Sequence, residues 1–172
     1  MNILAIDTAG KTAAVAVMRD DTLLYEMASN TGLTHSETLL PMVDTALKAC
    51  GLTPAQLDLY AVTNGPGSFT GLRIGVATAK GLAWAEDKDC APCSTLESMA
   101  WPLASFRDAV IVCAMDARRK QVYNALFQTD GERLTRLSPD RAISLEELGE
   151  ELKKIKKRKI VVAVSYTHLR AH

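Results

Sequence analysis

Residues 63–75 read Thr63-Asn64-Gly65-Pro66-Gly67-Ser68-Phe69-Thr70-Gly71-Leu72-Arg73-Ile74-Gly75, and they join an apolar run to a long alanine-rich helical pattern. The stretch is therefore predicted to be a junction between a strand and a helix. Its glycines allow positive φ values and let the backbone approach another group closely. A bound phosphate or a tightly packed neighbouring segment would each need such a backbone. The residues leave both interpretations open at this point.

The segments before this junction predict three strands and a helix. Thr34-His35-Ser36-Glu37 has the spacing of a capping box, and apolar residues then recur on one helical face to about Gly51. Pro41 lies inside this pattern, so we expect a bend or a later start of the helix. Short apolar runs separated by polar turns indicate a meander, formed by Asn2 to Asp7, Thr12 to Met18 and Thr22 to Met27.

The helix after the junction carries a stripe of small residues, one at every fourth position. Such a stripe lets another backbone approach closely. The helix also has few charges before Glu86, so we expect much of its surface to be covered by the protein itself or by a partner. The stripe consists of Gly71, Gly75, Ala79 and Ala83.

After Trp101-Pro102 the same order of elements starts again. Strand-like runs are followed by a capping box at Ser144-Leu145-Glu146-Glu147, a helix, and a last strand from Ile160 to Val164. We interpret this order as an internal duplication of a strand-strand-strand-helix-strand unit. The strand-like runs are Ala109 to Met115, Gln121 to Phe127 and Glu132 to Leu137.

Each half places an aspartate at the end of its first strand, Asp7 in the first and Asp116 in the second. A lysine follows at the same spacing in both, at Lys11 and Lys120. One interpretation is that the two carboxylates bind a metal or a phosphate-bound cation across a cleft between lobes. A strand-end carboxylate also caps turns, and we favour this second interpretation because no other acidic ligands accompany the pair.

Composition excludes several broad classes of protein. The formal net charge is 0 at pH 7, so the field of the whole protein does not recruit nucleic acid, and any RNA contact must be local or made through a partner. No apolar run approaches the length of a membrane span, and we expect no membrane partner. The 4 cysteines accompany no secretory feature, which predicts reduced thiols in the cytoplasm.

Three catalytic or cofactor motifs are present only in part. Cys90-Ala91-Pro92-Cys93 has redox spacing, but it follows a polar run and enters a predicted strand. Gly10-Lys11-Thr12 imitates the end of a phosphate loop whose first glycine is replaced by Ala5. The dinucleotide pattern G-x-G-x-x-G fails because its third glycine, Gly71, is one position late. We therefore disfavour redox, Walker-type and dinucleotide sites.

His35 is the only histidine before the terminal stretch of the chain. A zinc site on a helix needs a second ligand about one turn later, and none follows His35. We therefore predict a capping or surface role for His35. Ser68 and Ser94 likewise lack an evident base for nucleophilic catalysis.

Four stretches carry a family resemblance across the first two thirds of the chain. They are Ile6-Asp7-Thr8, then His35-Ser36-Glu37 with Leu39-Leu40-Pro41, then Gly65 to Gly75, and finally Met115-Asp116-Ala117-Arg118-Arg119 with Val122-Tyr123. With these stretches the chain resembles the TsaB family, also called YeaZ. TsaB proteins are the non-catalytic members of the bacterial machinery that makes threonylcarbamoyladenosine at position 37 of tRNAs decoding ANN codons.

The resemblance implies an α/β fold of the actin/Hsp70/sugar-kinase (ASKHA) type, with two lobes that are each built on an RNase H-like sheet. We expect an N-terminal lobe at residues 1–103 and a partial second lobe at residues 104–163. Residues 164–172 do not resemble the family, and we interpret them as a non-native tail. The second lobe is then incomplete, which predicts exposed apolar surface and poor stability.

The resemblance also implies a role without catalysis. TsaB-like proteins pair with a TsaD-type subunit that transfers threonylcarbamoyl to adenosine, and the complex recruits a TsaE-type ATPase. The catalytic relative holds its metal through a helical pair of histidines, and this chain matches only one of them, at His35. We therefore expect no metal, no catalytic residue and no cofactor in this chain, with ATP or ADP left to the complex and tRNA bound only through it. Self-association of the isolated chain stays open.

The predicted partner interface comprises the two N-lobe helices, Ser36 to Cys50 and Gly71 to Ala85. The alternative is a nucleotide-dependent kinase or phosphotransferase of the same superfold, and it would use a vestigial phosphate loop. The interface residues are His35, Leu39, Leu40, Val43, Leu47, Arg73, Ile74, Gly75, Thr78, Ala79 and Leu82. The loop residues are Asp7, Thr8, Gly65, Gly67 and Gly71.

Overall fold

The computed structural model describes residues 1–31, 34–155 and 159–165. Its internal contacts divide the chain into two compact units, Met1–Cys93 and a second one that begins at Ser94. This division falls before the limit at residue 103 that we expected from the sequence. The reason is that Leu96 and Ala100 pack in a hydrophobic cluster with residues of the second unit.

The first unit is a mixed five-stranded sheet in the order β3-β2-β1-β4-β5. β1 pairs antiparallel with β2, and β2 with β3, which confirms the meander, while β4 lies parallel to β1. The strands are β1 (Asn2–Asp7), β2 (Ala13–Arg19), β3 (Thr22–Ser29), β4 (Leu59–Gly65) and β5 (Asp89–Ser94). The helices are α1 (His35–Ala49) and α2 (Phe69–Ala85), with a 3-10 turn at Pro54–Gln56.

Helix α1 begins where the capping box predicts. The hydroxyl of Thr34 donates to Glu37 Oε2 at 2.6 Å and its backbone N–H donates to the same oxygen at 3.0 Å, and these two hydrogen bonds lower the pKa of the Glu37 carboxyl. Pro41 lies inside α1 without delaying its start, so that part of our expectation was wrong. A proline removes its own N–H and crowds the carbonyl four residues earlier, so it perturbs the helix at one turn without preventing the helix from starting upstream.

The core of the first unit lies between one face of the sheet and both helices. Alternate residues of β1 and β2 are buried, as expected for strands with one covered face. α1 and α2 also contact each other. The core side chains include Leu4, Ile6, Val15, Val17, Leu39, Val43, Leu47, Tyr60 and Val62.

The second unit repeats the order of the first. β6 pairs antiparallel with β7, and β10, which follows a helix, pairs parallel with β6. One difference is that two short strands, β8 and β9, both pair with β7. The elements are α3 (Thr95–Ala100), a 3-10 turn (Trp101–Leu103), β6 (Ala109–Arg118), β7 (Gln121–Thr129), β8 (Leu134–Arg136), β9 (Arg141–Ser144), α4 (Leu145–Lys153) and β10 (Lys159–Val164).

Strand β6 is buried from Ala109 to Met115 because both of its faces are covered. Ile111 and Cys113 pack in one cluster with residues of α3, and Val110 and Val112 pack in another with Leu148 of α4. A central strand that is covered on both faces reads as a continuous apolar run, which is the pattern of this segment.

Val164 belongs to strand β10, where it lies opposite Ala114 of β6. Its backbone is therefore integrated into the sheet. The rest of the predicted tail lies outside the described residues from position 166 onwards. Within the described part of the chain, no helix is long and apolar enough to cross a membrane.

Candidate functional site

The glycine-rich junction connects the end of β4 to the start of α2. Gly65 ends the strand with φ +122°, a backbone conformation that L side chains rarely adopt. Ser68 then caps α2, since its Oγ accepts the N–H of Gly71 at 3.2 Å. The backbone N–H of Ser68 donates to the carbonyl of Ala9 at 2.7 Å. The junction is thus attached to the turn that follows β1.

The space beside the later glycines is filled by this same turn. A Cβ atom at Gly67 would lie closer than 3.0 Å to the carbonyl oxygen of Ala9. A Cβ at Gly71 would meet Thr8 O, and one at Gly75 would meet Thr8 Oγ1, both also within 3.0 Å. The glycines therefore allow close packing of α2 and its preceding loop against residues 8–9. The sequence left open whether this backbone approaches a bound phosphate or a tightly packed neighbouring segment. The structure shows a packed segment, residues 8–9.

Of the five residues predicted as a vestigial phosphate loop, Thr8 and Gly71 bind each other directly, while the Asp7 carboxylate binds residues outside the predicted set. Thr8 is fully buried, and its Oγ1 donates to the carbonyl of Gly71 at 2.8 Å. Asp7 Oδ1 accepts the N–H of Ala9 and the hydroxyl of Thr63, each at 2.8 Å. The hydroxyl of Thr8 is thus already used inside the chain.

Asp116 forms the same kind of turn in the second unit. Its Oδ1 accepts the backbone N–H of Arg118 at 2.7 Å, just as Asp7 accepts that of Ala9 two residues on. These paired Asx turns agree with the turn-capping interpretation that the sequence favoured. In the described part of the chain, no three His, Cys, Asp or Glu side chains are grouped as a metal site would require.

His35 lies at the first residue of α1 and is partly buried. Its Nε2 lies 3.0 Å from the carbonyl oxygen of Gly10, which can only accept, so the imidazole donates this hydrogen bond. The side chain therefore links the start of α1 to the turn between β1 and β2. Its role is to join two segments of the first unit, rather than to cap its own helix.

The small-residue stripe of α2 faces the sheet of its own unit. Gly71, Gly75, Ala79 and Ala83 are all buried, and the two alanines belong to the core cluster. Gly75 and Ala79, which we predicted to lie in the partner interface, are therefore covered by their own chain. Thr8 approaches α2 closely, with its backbone oxygen at Gly71 and its hydroxyl at Gly75.

The structure separates the predicted interface residues into two groups. Leu39, Val43 and Leu47 are buried in the core of the first unit, as are Gly75 and Ala79. These residues are not available to a partner in this fold. The residues that reach solvent are Leu40 and Arg73, which are exposed, and His35, Ile74, Thr78 and Leu82, which are half-buried.

Two large side chains on α2 that are absent from the predicted interface reach solvent. Phe69 is 74% exposed and Trp84 is 87% exposed. The guanidinium of Arg73 lies 5.3 Å from the centre of the Phe69 ring. A search for the helical face opposite the glycine stripe would have found these residues. We call this face the α2 outer face; it comprises Phe69, Arg73, Ala77, Lys80, Gly81 and Trp84.

Cys90 and Cys93 both lie in the extended strand β5. Residues three apart in a strand have Cα atoms separated by about 10 Å, whereas a disulfide requires less than about 7 Å. Burial also raises the pKa of the Cys90 thiol. A redox pair is therefore excluded by the strand conformation.

Cys113 provides a probe of the folding of the second unit. It is fully buried in β6, and burial raises the pKa of its thiol to about 12. The thiolate is the reactive form, so we expect Cys113 to resist alkylation at pH 8 in the folded chain and to react only after unfolding. Mass spectrometry of peptides after iodoacetamide treatment, with and without denaturant, measures this. Equal labelling of Cys113 and Cys50 in the folded chain would contradict the prediction.

Comparison with known proteins places these features in a family. Residues 28–168 match the family model described as TsaD, tRNA N6-adenosine threonylcarbamoyltransferase. The tRNA threonylcarbamoyladenosine biosynthesis protein TsaB of Bacillus subtilis is 40% identical over 153 residues, which cover 89% of this chain and 66% of that protein. The TsaB of Buchnera aphidicola is 31% identical over 93% of this chain and 77% of its own length. The chain belongs to the TsaB family.

Solved structures confirm the fold. YeaZ from Pseudomonas aeruginosa matches this TsaB-family chain with a TM-score of 0.77 and 22% identity, over 95% of this chain and 84% of that one. A Bacteroides thetaiotaomicron protein with an actin-like ATPase fold matches with a TM-score of 0.51 and 8% identity, over 98% and 83% of the two chains. The predicted actin-like α/β fold is thus correct.

The TsaB-family chain is shorter than its relatives. It spans about half to two thirds of the lengths of the TsaB proteins from Bacillus subtilis, Haemophilus influenzae and Escherichia coli. What those proteins do as a whole is therefore a proposal for this chain.

Proposed function

We propose that this chain acts as a non-catalytic, partner-binding subunit of the cytoplasmic complex that installs threonylcarbamoyl on N6 of adenosine 37 in ANN-decoding tRNAs. Membership of the TsaB family supports the pathway, since its relatives are named for tRNA threonylcarbamoyladenosine biosynthesis. In this proposal the chain dimerises with a TsaD-type catalytic subunit and helps to recruit a TsaE-type ATPase.

The observation that carries the partner role is the α2 outer face. Phe69 and Trp84 expose most of their side chains there, and Leu40 on the adjacent helix α1 is 53% exposed. Aromatic residues and arginine are the types enriched at the centres of protein interfaces. Full burial of such an apolar side chain contributes about 1.5–3 kcal/mol. We therefore propose that the partner covers Leu40, Phe69, Arg73 and Trp84.

The half-buried residues beside this face complete the proposed interface. Ile74, Thr78 and Leu82 lie on α2 between the outer face and the buried stripe. We assign them to the rim of the contact, together with His35 at the start of α1. Leu39, Val43 and Leu47 support the surface from beneath, because they fix α1 to the sheet.

A nucleotide-dependent kinase or phosphotransferase is the second candidate, and one observation ranks it lower. Such an enzyme would use Asp7, Thr8 and the glycine loop to hold phosphates. The Thr8 hydroxyl already donates to the Gly71 carbonyl, and Ala9 occupies the space beside Gly67. Phosphate binding here would require these contacts to break.

Light scattering after size-exclusion chromatography tests the proposal. The chain is run alone and in an equimolar mixture with a TsaD-type subunit at micromolar concentration. A mixture that elutes with the mass of a heterodimer supports the partner role, and separate elution of the two proteins argues against it. Calorimetry with ATP and magnesium examines the alternative, since tight binding with hydrolysis by the chain alone would favour the enzyme.

Strand β10 supplies a further prediction about stability. Ile160, Val162 and Val164 are 38%, 55% and 45% exposed on this strand. We propose that a later segment of the longer relatives covers them, so a version of the chain extended with that segment should unfold at a higher temperature. Thermal unfolding followed by circular dichroism compares the two proteins. Equal cooperative transitions with the same midpoint would contradict this prediction.

A further inference from the structure

The hairpin between β6 and β7 ends in three consecutive cations. Arg118, Arg119 and Lys120 are all exposed, and their φ angles are +65°, +51° and +63°. The turn begins with the hydrogen bond from the Arg118 N–H to Asp116 Oδ1. Gln121 then starts β7. The charged side chains thus form the whole tip of the hairpin, which we call the basic tip.

The backbone of the basic tip is unfavourable for the residues that occupy it. L side chains other than Asn and Asp rarely adopt positive φ, and tight hairpins normally use Asn-Gly or a similar pair. Elsewhere the described residues with positive φ are glycines or aspartates, such as Gly131 with φ +105° and Asp108 with φ +51° in the same unit. The turn alone therefore does not explain three long cationic side chains here.

The charges of the basic tip are also unused within the chain. In the described residues, the side chains of Arg118, Arg119 and Lys120 take part in no ion pair and no hydrogen bond. Other arginines of the second unit behave differently. Arg136 pairs with Glu97 at 2.8 Å and with Asp140 at 2.6 Å. Burial lowers the pKa of Arg136, but the two carboxylates together outweigh burial and raise it.

We infer that the basic tip binds RNA phosphates, as a contact of the tRNA-modifying complex; this inference rests on the proposed function. Unpaired Arg and Lys side chains neutralise phosphates and release counterions, whatever the base sequence. A protein partner would instead need an apolar anchor, but Ala117 is half-buried and Val122 is buried. Because the formal net charge of the chain is 0, the attraction comes from this local cluster.

The test is a double variant, Arg119→Asn with Lys120→Gly, in the full chain mixed with a TsaD-type subunit. Asn and Gly suit the left-handed turn, so this change removes two cations while we expect the thermal midpoint to rise by about 2–5 °C. A fluorescently labelled, unmodified tRNA transcript serves as the probe, and its affinity is measured at several salt concentrations.

We expect the variant complex to bind the transcript about ten-fold more weakly at low salt, and the slope of log K against log salt to fall by about 1–2. The matched control is Arg133→Gln with Lys154→Gln, which removes two other exposed cations of the same unit. If the control complex keeps the affinity and the salt slope of the wild type, the result supports RNA binding by the basic tip.

Equal behaviour of both variants, with or without a loss of affinity, would overturn the inference, because the position of the charge would then not matter. Association with the TsaD-type subunit is measured separately by light scattering, and the hairpin variant should associate as the wild type does. If the wild type itself fails to associate, the proposed function fails. If association is intact and the variant binds the transcript normally, only the basic tip is refuted.

Discussion

Replacing Gly75 by leucine is expected to unfold the first unit. A Cβ at this position would lie within 3.0 Å of Thr8 Oγ1, and Thr8 is fully buried and held by its hydrogen bond to Gly71. Helix α2 and Thr8 therefore cannot move apart without breaking core contacts. Overpacking alone destabilises by about 1–3 kcal/mol, and loss of the Thr8 hydrogen bond adds about 1–3 kcal/mol. Urea denaturation followed by circular dichroism measures the loss.

The matched control for this change is Gly81→Ala in the same helix. No atom lies within 4 Å of a Cβ at Gly81, which belongs to the α2 outer face. Since glycine is a poor helix former, alanine should stabilise the unit by about 0.5–1 kcal/mol. A Gly75→Leu protein as stable as the wild type but unable to bind a TsaD-type subunit would contradict this assignment. That outcome would indicate that the small-residue stripe of α2 contacts the partner.

Local chemistry made much of the fold predictable. The capping box at Thr34 and Glu37 placed the start of α1, and alternating apolar runs gave the meander. The repeated order of elements predicted the second unit as well. The capping box and the alternation depend on residues that are close in sequence, so a short stretch of sequence is enough to predict them.

The orientation of α2 could not be predicted from local pattern. Helical periodicity shows which residues share a face, but it does not show which face meets the sheet. Gly71 and Gly75 carry little apolar surface, yet they face inward because residues 8–9 approach α2 too closely for a side chain. Phe69 and Trp84 consequently point outward despite their size. That approach depends on the turn after β1, a contact that is distant in sequence.

The local sequence pattern also did not predict that the third strand of the second unit is divided in two. The run from Glu132 to Leu137 predicted a single strand, but β8 ends at Arg136 and pairing with β7 resumes only in β9. In the gap, the hydroxyl of Ser138 accepts the N–H of Leu126 at 2.9 Å. A side chain thus takes the place of a ladder hydrogen bond, which no alternation of apolar residues reveals.

Removing the aromatic side chains of the α2 outer face should weaken partner binding strongly and leave stability almost unchanged. We expect Trp84→Ala combined with Phe69→Ala to lower the affinity for a TsaD-type subunit at least about 30-fold, as loss of a hot spot of about 2 kcal/mol does. Both side chains are mostly exposed, so the free energy of unfolding should change by less than about 1 kcal/mol. Calorimetric titration and urea denaturation measure the two quantities.

Trp101→Ala is the matched control, because Trp101 is a tryptophan of the second unit that is 55% exposed. It should leave the affinity unchanged if the contact is made by the outer face of α2. Equal losses in the control and the α2 variant would place the contact elsewhere. Self-association adds one more distinction. If the α2 variant also loses any homodimer of the isolated chain, the two assemblies compete for one surface, and the free homodimer must dissociate before the TsaD-type subunit can bind.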